Sequence, residues 1–164
     1  MLALIIRMKS QKMTQPLDLA IKEIGYTEGK ANANKFSKAL GRPAESWCAD
    51  FVVWCIQQSG HAGDILNSPS VIQICKWAEK SGLVIDPKDA RPNDIVAFDF
   101  SGKKKAPVHI GIIEKGLNSK NALTTIEGNT SNGTDPKKSQ SNGDCVARKE
   151  RGLSSVFLVF RPKY

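Results

Sequence analysis

The hydrophobic period changes once along this chain, near Gly82, and that change limits the folds open to it. Before it, apolar residues recur at helical spacing. Leu17, Ala20, Ile21 and Ile24 fall at i, i+3, i+4 and i+7, after Pro16 and before Gly25. A weaker segment around Phe36, Ala39 and Leu40 stops at Gly41-Arg42-Pro43. Ser46 then stands as an N-cap before the apolar run 47–56, with Asp50 in the first turn, and this helix reaches Ser59-Gly60. Val71, Ile74, Cys75 and Ala78 predict a further helix, opened by Ser68-Pro69-Ser70 and closed at Gly82. Beyond it, 95–100, 108–114, 122–127, 145–149 and 156–161 are short β-rich stretches separated by Gly, Asn, Lys and Pro turns. Helices first and strands afterwards specify an α+β domain, with N-terminal helices packed on a largely antiparallel β-sheet. Residues 130–144 are polar, without apolar period, and read as a long mobile loop.

At 164 residues, 40% hydrophobic and 24% charged, the chain suits one domain with a real core, which excludes wholesale disorder and a disulfide miniprotein. Residues 1–15 are expected to be a flexible leader, with Met13 as an alternative start to Met1, and residues 16–164 a single domain. The apolar opening 2–6 is too short for a membrane span or a secretory signal, so synthesis in the cytoplasm and no membrane insertion are expected. Cys48, Cys55, Cys75 and Cys145 lie 7, 20 and 70 positions apart, which is neither zinc-knuckle nor redox-pair spacing. No metal and no cofactor are expected, and each cysteine is either packing or a nucleophile. The net charge of +8 also suits a basic nucleic-acid-binding module. Aromatics at 7% and the lack of any zinc-finger, basic-zipper or recognition-helix signature weigh against nucleic acid.

With two histidines, a cysteine–histidine pair is tested by geometry. His61 lies 13 residues beyond Cys48, about 20 Å along a helix axis. It is out of reach and reads as a surface residue at a helix C-terminus. His109 opens the run His109-Ile110-Gly111-Ile112-Ile113, where a period of two puts His109, Gly111 and Ile113 on one face and Ile110 and Ile112 on the other. Gly111 leaves room beside the imidazole for another element, here the Cys48 helix. Thr125, Glu127 and Asn129 share a face of the next strand if it extends that far. A hairpin symmetric about Asn118 sets Glu127 opposite His109, with Asn129 as the alternate if the register slips. Cys48 sits in the first turn of its helix, where unpaired N–H groups and the macrodipole favour negative charge on sulfur and where its own N–H can meet an oxyanion. Cys55, Cys75 and Cys145 read as inert packing.

Four blocks, 45–54, 92–98, 109–113 and 126–130, together resemble the CHAP family, the cysteine, histidine-dependent amidohydrolases/peptidases, across residues 16–162. The resemblance implies a papain-like fold and a peptidoglycan hydrolase. Such an enzyme cleaves the bond between muramic acid and the stem peptide, as an N-acetylmuramoyl-L-alanine amidase, or a stem or crossbridge peptide bond. It further implies Cys48 as nucleophile, His109 as base, Glu127 as the residue orienting it and Asn129 as a supporting polar group. Ser46 and Trp47 are candidate substrate-binding residues, with N-capping and packing of the helix start as their alternatives.

Residues 127–164 look most like phage and prophage endolysins, which reach the wall through a phage-made pore. A secreted antibacterial effector with the same chemistry and a non-catalytic, basic wall-binding relative are the alternatives. Two features depart from many relatives: no separate cell-wall-binding domain is expected within these residues, so the chain is either a domain of a longer protein or reaches the wall by itself, and no Asp-rich calcium loop is present. Lys103-Lys104-Lys105, Lys137-Lys138 and Arg148-Lys149 are expected to draw a monomer to anionic wall polymers.

Overall fold

The computed structural model describes residues 13–132 and 142–164. Four α-helices come first among them: α1 (Pro16–Lys22), α2 (Lys35–Ala39), α3 (Cys48–Gln58) and α4 (Val71–Lys80). Six strands follow: β1 (Val84–Ile85), β2 (Ile95–Phe98), β3 (His109–Lys115), β4 (Ala122–Thr130), β5 (Cys145–Gly152) and β6 (Val156–Phe160). The helix signals act locally as expected. Pro16 sits in the first turn of α1, and the Gln15 N–H donates to the Asp18 carboxylate at 3.1 Å. Ser70 caps α4 by accepting from the Gln73 N–H at 3.3 Å. Gly60 and Gly82, at φ +92° and +67°, turn the chain out of α3 and α4.

Helix α1 is shorter than its apolar pattern predicts, and Ile21 and Ile24 are partly exposed. The cause is sheet pairing. The Gly25 N–H donates to the Val146 carbonyl, the Val146 N–H donates to the Tyr26 carbonyl, and Thr27 bridges Cys145, so the chain leaves the helix to run along β5. The leader and the mobile loop expected from sequence fall largely on residues 1–12 and 133–141, outside the described residues.

The sheet has the order β1-β6-β2-β3-β4-β5, and every neighbouring pair is antiparallel. β1, two residues long, is too short to show a period in sequence. One face carries Ile95, Ala97, Ile110, Ile112, Ile126, Val146, Leu158 and Phe160 against the helices, with Phe51, Val52, Cys55 and Ile56 of α3 at the centre. The other face carries Val96, Phe98, Ile113, Leu123, Val156 and Val159, with Ile85, Ala90, Leu117 and Leu153 packed on it.

The register of β3 on β4 differs from the symmetric hairpin by two residues. Ile112 pairs with Ile126, and continuing that register places Glu127 opposite Gly111 rather than His109. The turn closes on Asn118 and Ala122, where the Asn118 N–H donates to the Ala122 carbonyl at 3.0 Å and the Asn118 side chain accepts from the Lys120 and Ala122 N–H groups. Its centre is therefore Lys120, and a bulge between Ile113 and Lys115 returns part of the offset. A slip of two preserves the parity of side chains, so Glu127 stays on the His109 face.

Helix α3 meets the sheet at Gly128. A Cβ built there would lie 2.5 Å from the Cβ of Phe51 and 2.8 Å from Cζ3 of Trp47, so only a hydrogen fits between strand and helix. Gly128→Ala is expected to destabilise the fold by about 1–3 kcal/mol through overpacking. Urea denaturation should show a lower midpoint with an unchanged slope; an unchanged midpoint would mean that α3 can back away from β4 without cost.

Candidate active site

Cys48 is the first residue of α3, and its backbone N–H is among those an α-helix leaves without an internal acceptor. The N-cap is Trp47, with no side-chain capping bond, and not Ser46 as the sequence suggests. Ser46 is used otherwise: its Oγ accepts from Nδ2 of Asn129 at 2.8 Å, tying the segment before the helix to the end of β4. Of the two roles open to Trp47 the structure shows packing. Its ring is 0% exposed, stacks on Phe36 at 5.3 Å, meets Tyr26 edge-on at 5.9 Å and donates its indole N–H to Glu28. Asp50, one turn in, is buried and accepts from Ser37 Oγ at 2.6 Å and from Arg42. That anchor pins α2 and the following loop to α3, and no spacing in the sequence announces it.

His109 and Glu127 are both 0% exposed. Nε2 of His109 donates to Oε2 of Glu127 at 2.8 Å. Gly111 makes this reach possible in a way not expected from sequence. A Cβ there would lie 2.7 Å from Cγ of Glu127, so the glycine clears a path for the glutamate and not for the Cys48 helix. Phe98 and Phe100 lie over the imidazole, with centroids at 6.1 and 5.9 Å. With Nε2 engaged, Nδ1 is buried and bonded to no oxygen or nitrogen, and the Cys48 side chain lies close enough to act on the ring. Burial alone would lower the His109 pKa, but the Glu127 charge and the interactions of the ring with Cys48 and Glu127 as acceptors outweigh it and raise the value to about 9. Burial works the other way on Glu127, and hydrogen bonds from Arg151 together with the His109 charge overcome it, holding the carboxyl well below its usual range.

Asn129 does not share the Glu127 face as the simple alternation predicts. A bulge between Glu127 and Thr130 puts it at φ +53°, in the left-handed region that asparagine tolerates. Its Nδ2 donates to Ser46 and to Oδ1 of Asn142 at 3.3 Å, and its buried Oδ1 has no partner. It meets the Cys48 side of the site through Ser46, while Glu127 alone of the two holds the imidazole.

His61 is partly buried rather than a plain surface residue, with Nδ1 3.2 Å from the Asp64 carboxylate and its ring 4.9 Å from Tyr164. Burial pushes the Cys55 thiol well up and the Cys75 thiol up to about 12, which suits packing and not nucleophilic duty. Cys145 donates through Sγ to the Thr130 carbonyl at 3.1 Å. No group of three His, Cys, Asp or Glu residues able to hold a metal occurs among the described residues, and no described helix is long and apolar enough to cross a membrane.

Two partners of Glu127 escaped the sequence reading. Thr125 donates through Oγ1 to Oε1 at 2.6 Å. Arg151 donates from Nε to Oε1 at 2.9 Å and from Nη2 to Oε2 at 2.5 Å. The available signal was the alternation along β5, which puts residues 147, 149 and 151 on the Glu127 face.

The two buried charges have opposite linkage to stability. His109, raised above its ordinary 6.5, contributes stability that is complete below that pH and lost as the pH climbs through about 9. Glu127, depressed below its ordinary 4.5, contributes stability present above that pH and lost as the pH falls further. The pair's contribution is therefore greatest between pH 4.5 and 6.5. NMR titration should find the His109 imidazole deprotonating far above the usual histidine range, and Glu127→Gln should bring it down by more than one unit. An ordinary midpoint in the wild type would remove the ion pair from the description.

Comparison with protein families matches residues 39–129 to the CHAP domain. No curated protein and no solved structure matches the chain. The matched segment contains Cys48, His109, Glu127 and Asn129 and covers more than half of the sequence. With its α+β architecture of papain-like type and this cysteine–histidine site, the chain belongs to the CHAP family of amidohydrolases/peptidases that act on peptidoglycan.

Proposed function

We propose that the chain is an endolysin-like peptidoglycan hydrolase that cuts a wall amide with Cys48 as nucleophile. It acts as an N-acetylmuramoyl-L-alanine amidase or as a stem or crossbridge endopeptidase. The observation that carries this reading is the buried His109, with Nε2 held by Glu127 and the Cys48 side chain close enough to raise its pKa.

In this mechanism the Cys48 proton passes to His109, whose raised pKa of about 9 retains it there, and Sγ attacks the amide carbonyl carbon. The oxyanion forms next to the Cys48 N–H at the helix start. The imidazolium returns the proton to the leaving nitrogen, the C–N bond breaks and a thioester remains. Water, deprotonated by His109, then attacks the thioester, releasing the new carboxylate and restoring the thiol. Glu127 holds the tautomer and bears the opposite charge while the imidazole is protonated. Asn129 acts as a supporting polar group by fixing Ser46 just before the nucleophile. The enzyme works as a monomer, made in the cytoplasm and passed to the wall through a phage-made pore. Its net charge of +8, with Lys103, Lys104 and Lys105 exposed on the β2–β3 connection, draws it to anionic wall polymers.

Mass spectrometry of purified peptidoglycan digested in parallel by wild type and by Cys48→Ala tests the reading. Only wild type should release fragments, whose masses name the bond, with Cys48→Ala reduced at least about a thousandfold and His109→Ala about a hundredfold or more. Digestion by folded Cys48→Ala at the wild-type rate would refute it. Wall association in a sedimentation assay should weaken sharply toward about 1 M salt, where the Debye length is about 3 Å; salt-independent binding would remove the electrostatic role of the lysines.

A further inference from the structure

The site contains a cation that the mechanism above does not use. Arg151, on β5 opposite Leu123 of β4, is 8% exposed and presents two nitrogens to the two oxygens of Glu127, at 2.9 and 2.5 Å. Its Nη2 also donates to Thr130 Oγ1 at 3.4 Å, and its guanidinium carbon lies 4.8 Å from the centre of the Phe100 ring and 5.7 Å from that of Phe98. The fork fixes the carboxylate plane, and the rings cover the guanidinium. Arg151 lies beyond residues 39–129, the segment matched to the family.

A carboxylate with no exposure needs a compensating charge at all times. His109 cannot supply it throughout, because the imidazole gains and loses a proton in each half-reaction. We propose that Arg151 is a positioning residue for catalysis: a permanent counter-charge that keeps Glu127 ionised and in plane while His109 cycles between its neutral and protonated forms. The inference rests on the hydrolase reading, since it assigns Arg151 a part in that reaction. The charged or titratable groups facing this array are Glu127 on β4, His109 on β3, Cys48 on α3, and Cys145 and Lys149 on β5. Lys149 is held below its ordinary value by partial burial and next by the Arg151 charge, so the field of Arg151 reaches its neighbours.

The structure supplies an internal control. Arg148 forks the carboxylate of Glu114 at 2.7 and 2.8 Å, joining β5 to β3 with the same geometry, but its side chain is 49% exposed and away from His109. A fork that merely ties strands together is represented by that pair.

Removing a nearby positive charge raises the pKa of every group that titrates beside it. Arg151→Met should therefore move both limbs of the kcat/KM against pH profile, and the His109 midpoint read by NMR, upward by about one unit. Arg151→Lys retains the charge and loses the fork, so its limbs should stay in place while kcat falls about tenfold. That loss should vanish in a Glu127→Gln background if Arg151 acts through the carboxylate. Arg148→Met should leave both limbs and the His109 midpoint at their wild-type positions, whatever it does to wall association. A folded Arg151→Met with unmoved limbs and an unmoved His109 midpoint overturns the inference and leaves the hydrolase reading intact. Should Arg151→Met not fold, Arg151→Lys decides: shifted limbs, an unchanged kcat, or a loss that persists with Glu127→Gln overturns the inference equally. Failure of wild type to release any wall fragment sinks the hydrolase reading, and the catalytic role of Arg151 with it.

Discussion

A carboxylate stripped of water governs the arrangement of this molecule. Glu127 is fully buried, and an uncompensated buried charge costs several kcal/mol. Its two oxygens take hydrogen bonds from Thr125, His109 and the Arg151 fork, donors drawn from three adjacent strands. β4 must therefore lie between β3 and β5, as it does. Gly111 follows from the same demand, since any side chain there would occupy the path of the glutamate toward His109. The high affinity of His109 for its proton and the acidity of Glu127 are two expressions of one buried interaction.

The next residue along the strand carries the other half of the construction. Glu127 points to the face away from the helices, while Gly128 presents a bare backbone to Phe51 and Trp47. This dipeptide couples the imidazole's support to the seat of α3. The aromatic packing of Trp47 against Phe36 and Tyr26, and the Asp50 anchor to Ser37 and Arg42, then hold the start of α3 from its outer side. Cys48 is placed by this packing more than by a helix cap, because Trp47 supplies no capping side chain. The bond between Asn129 and Ser46 closes the circuit by joining the strand end to the residue before the cap.

The proposed chemistry rests on the asymmetry of the imidazole. One ring nitrogen is committed to a carboxylate and the other is buried beside a thiol, so proton traffic has a single direction available. Phe98 and Phe100 lie over the ring and over Arg151, which keeps water from the Glu127 cluster and strengthens every electrostatic interaction within it.

What the sequence determined by itself is local. The alternation through residues 109–113 placed His109 and Gly111 on one face, and the apolar run after Ser46 placed Cys48 at a helix start, because a strand repeats every two residues and a helix every 3.6 by backbone geometry alone. Glu127 was legible as far as parity reaches: the register was wrong by two residues, yet an even slip leaves the side chain on the same face. Tertiary structure decided the rest. The turn closed at Asn118 and Ala122 and a bulge set which residue lies opposite Glu127; a second bulge broke the alternation at Asn129, whose amide bonds to Ser46; and pairing with β5 brought in Arg151. Those contacts join residues far apart in the chain, and the bulges and turn bonds that align them leave no period in the sequence from which to read them.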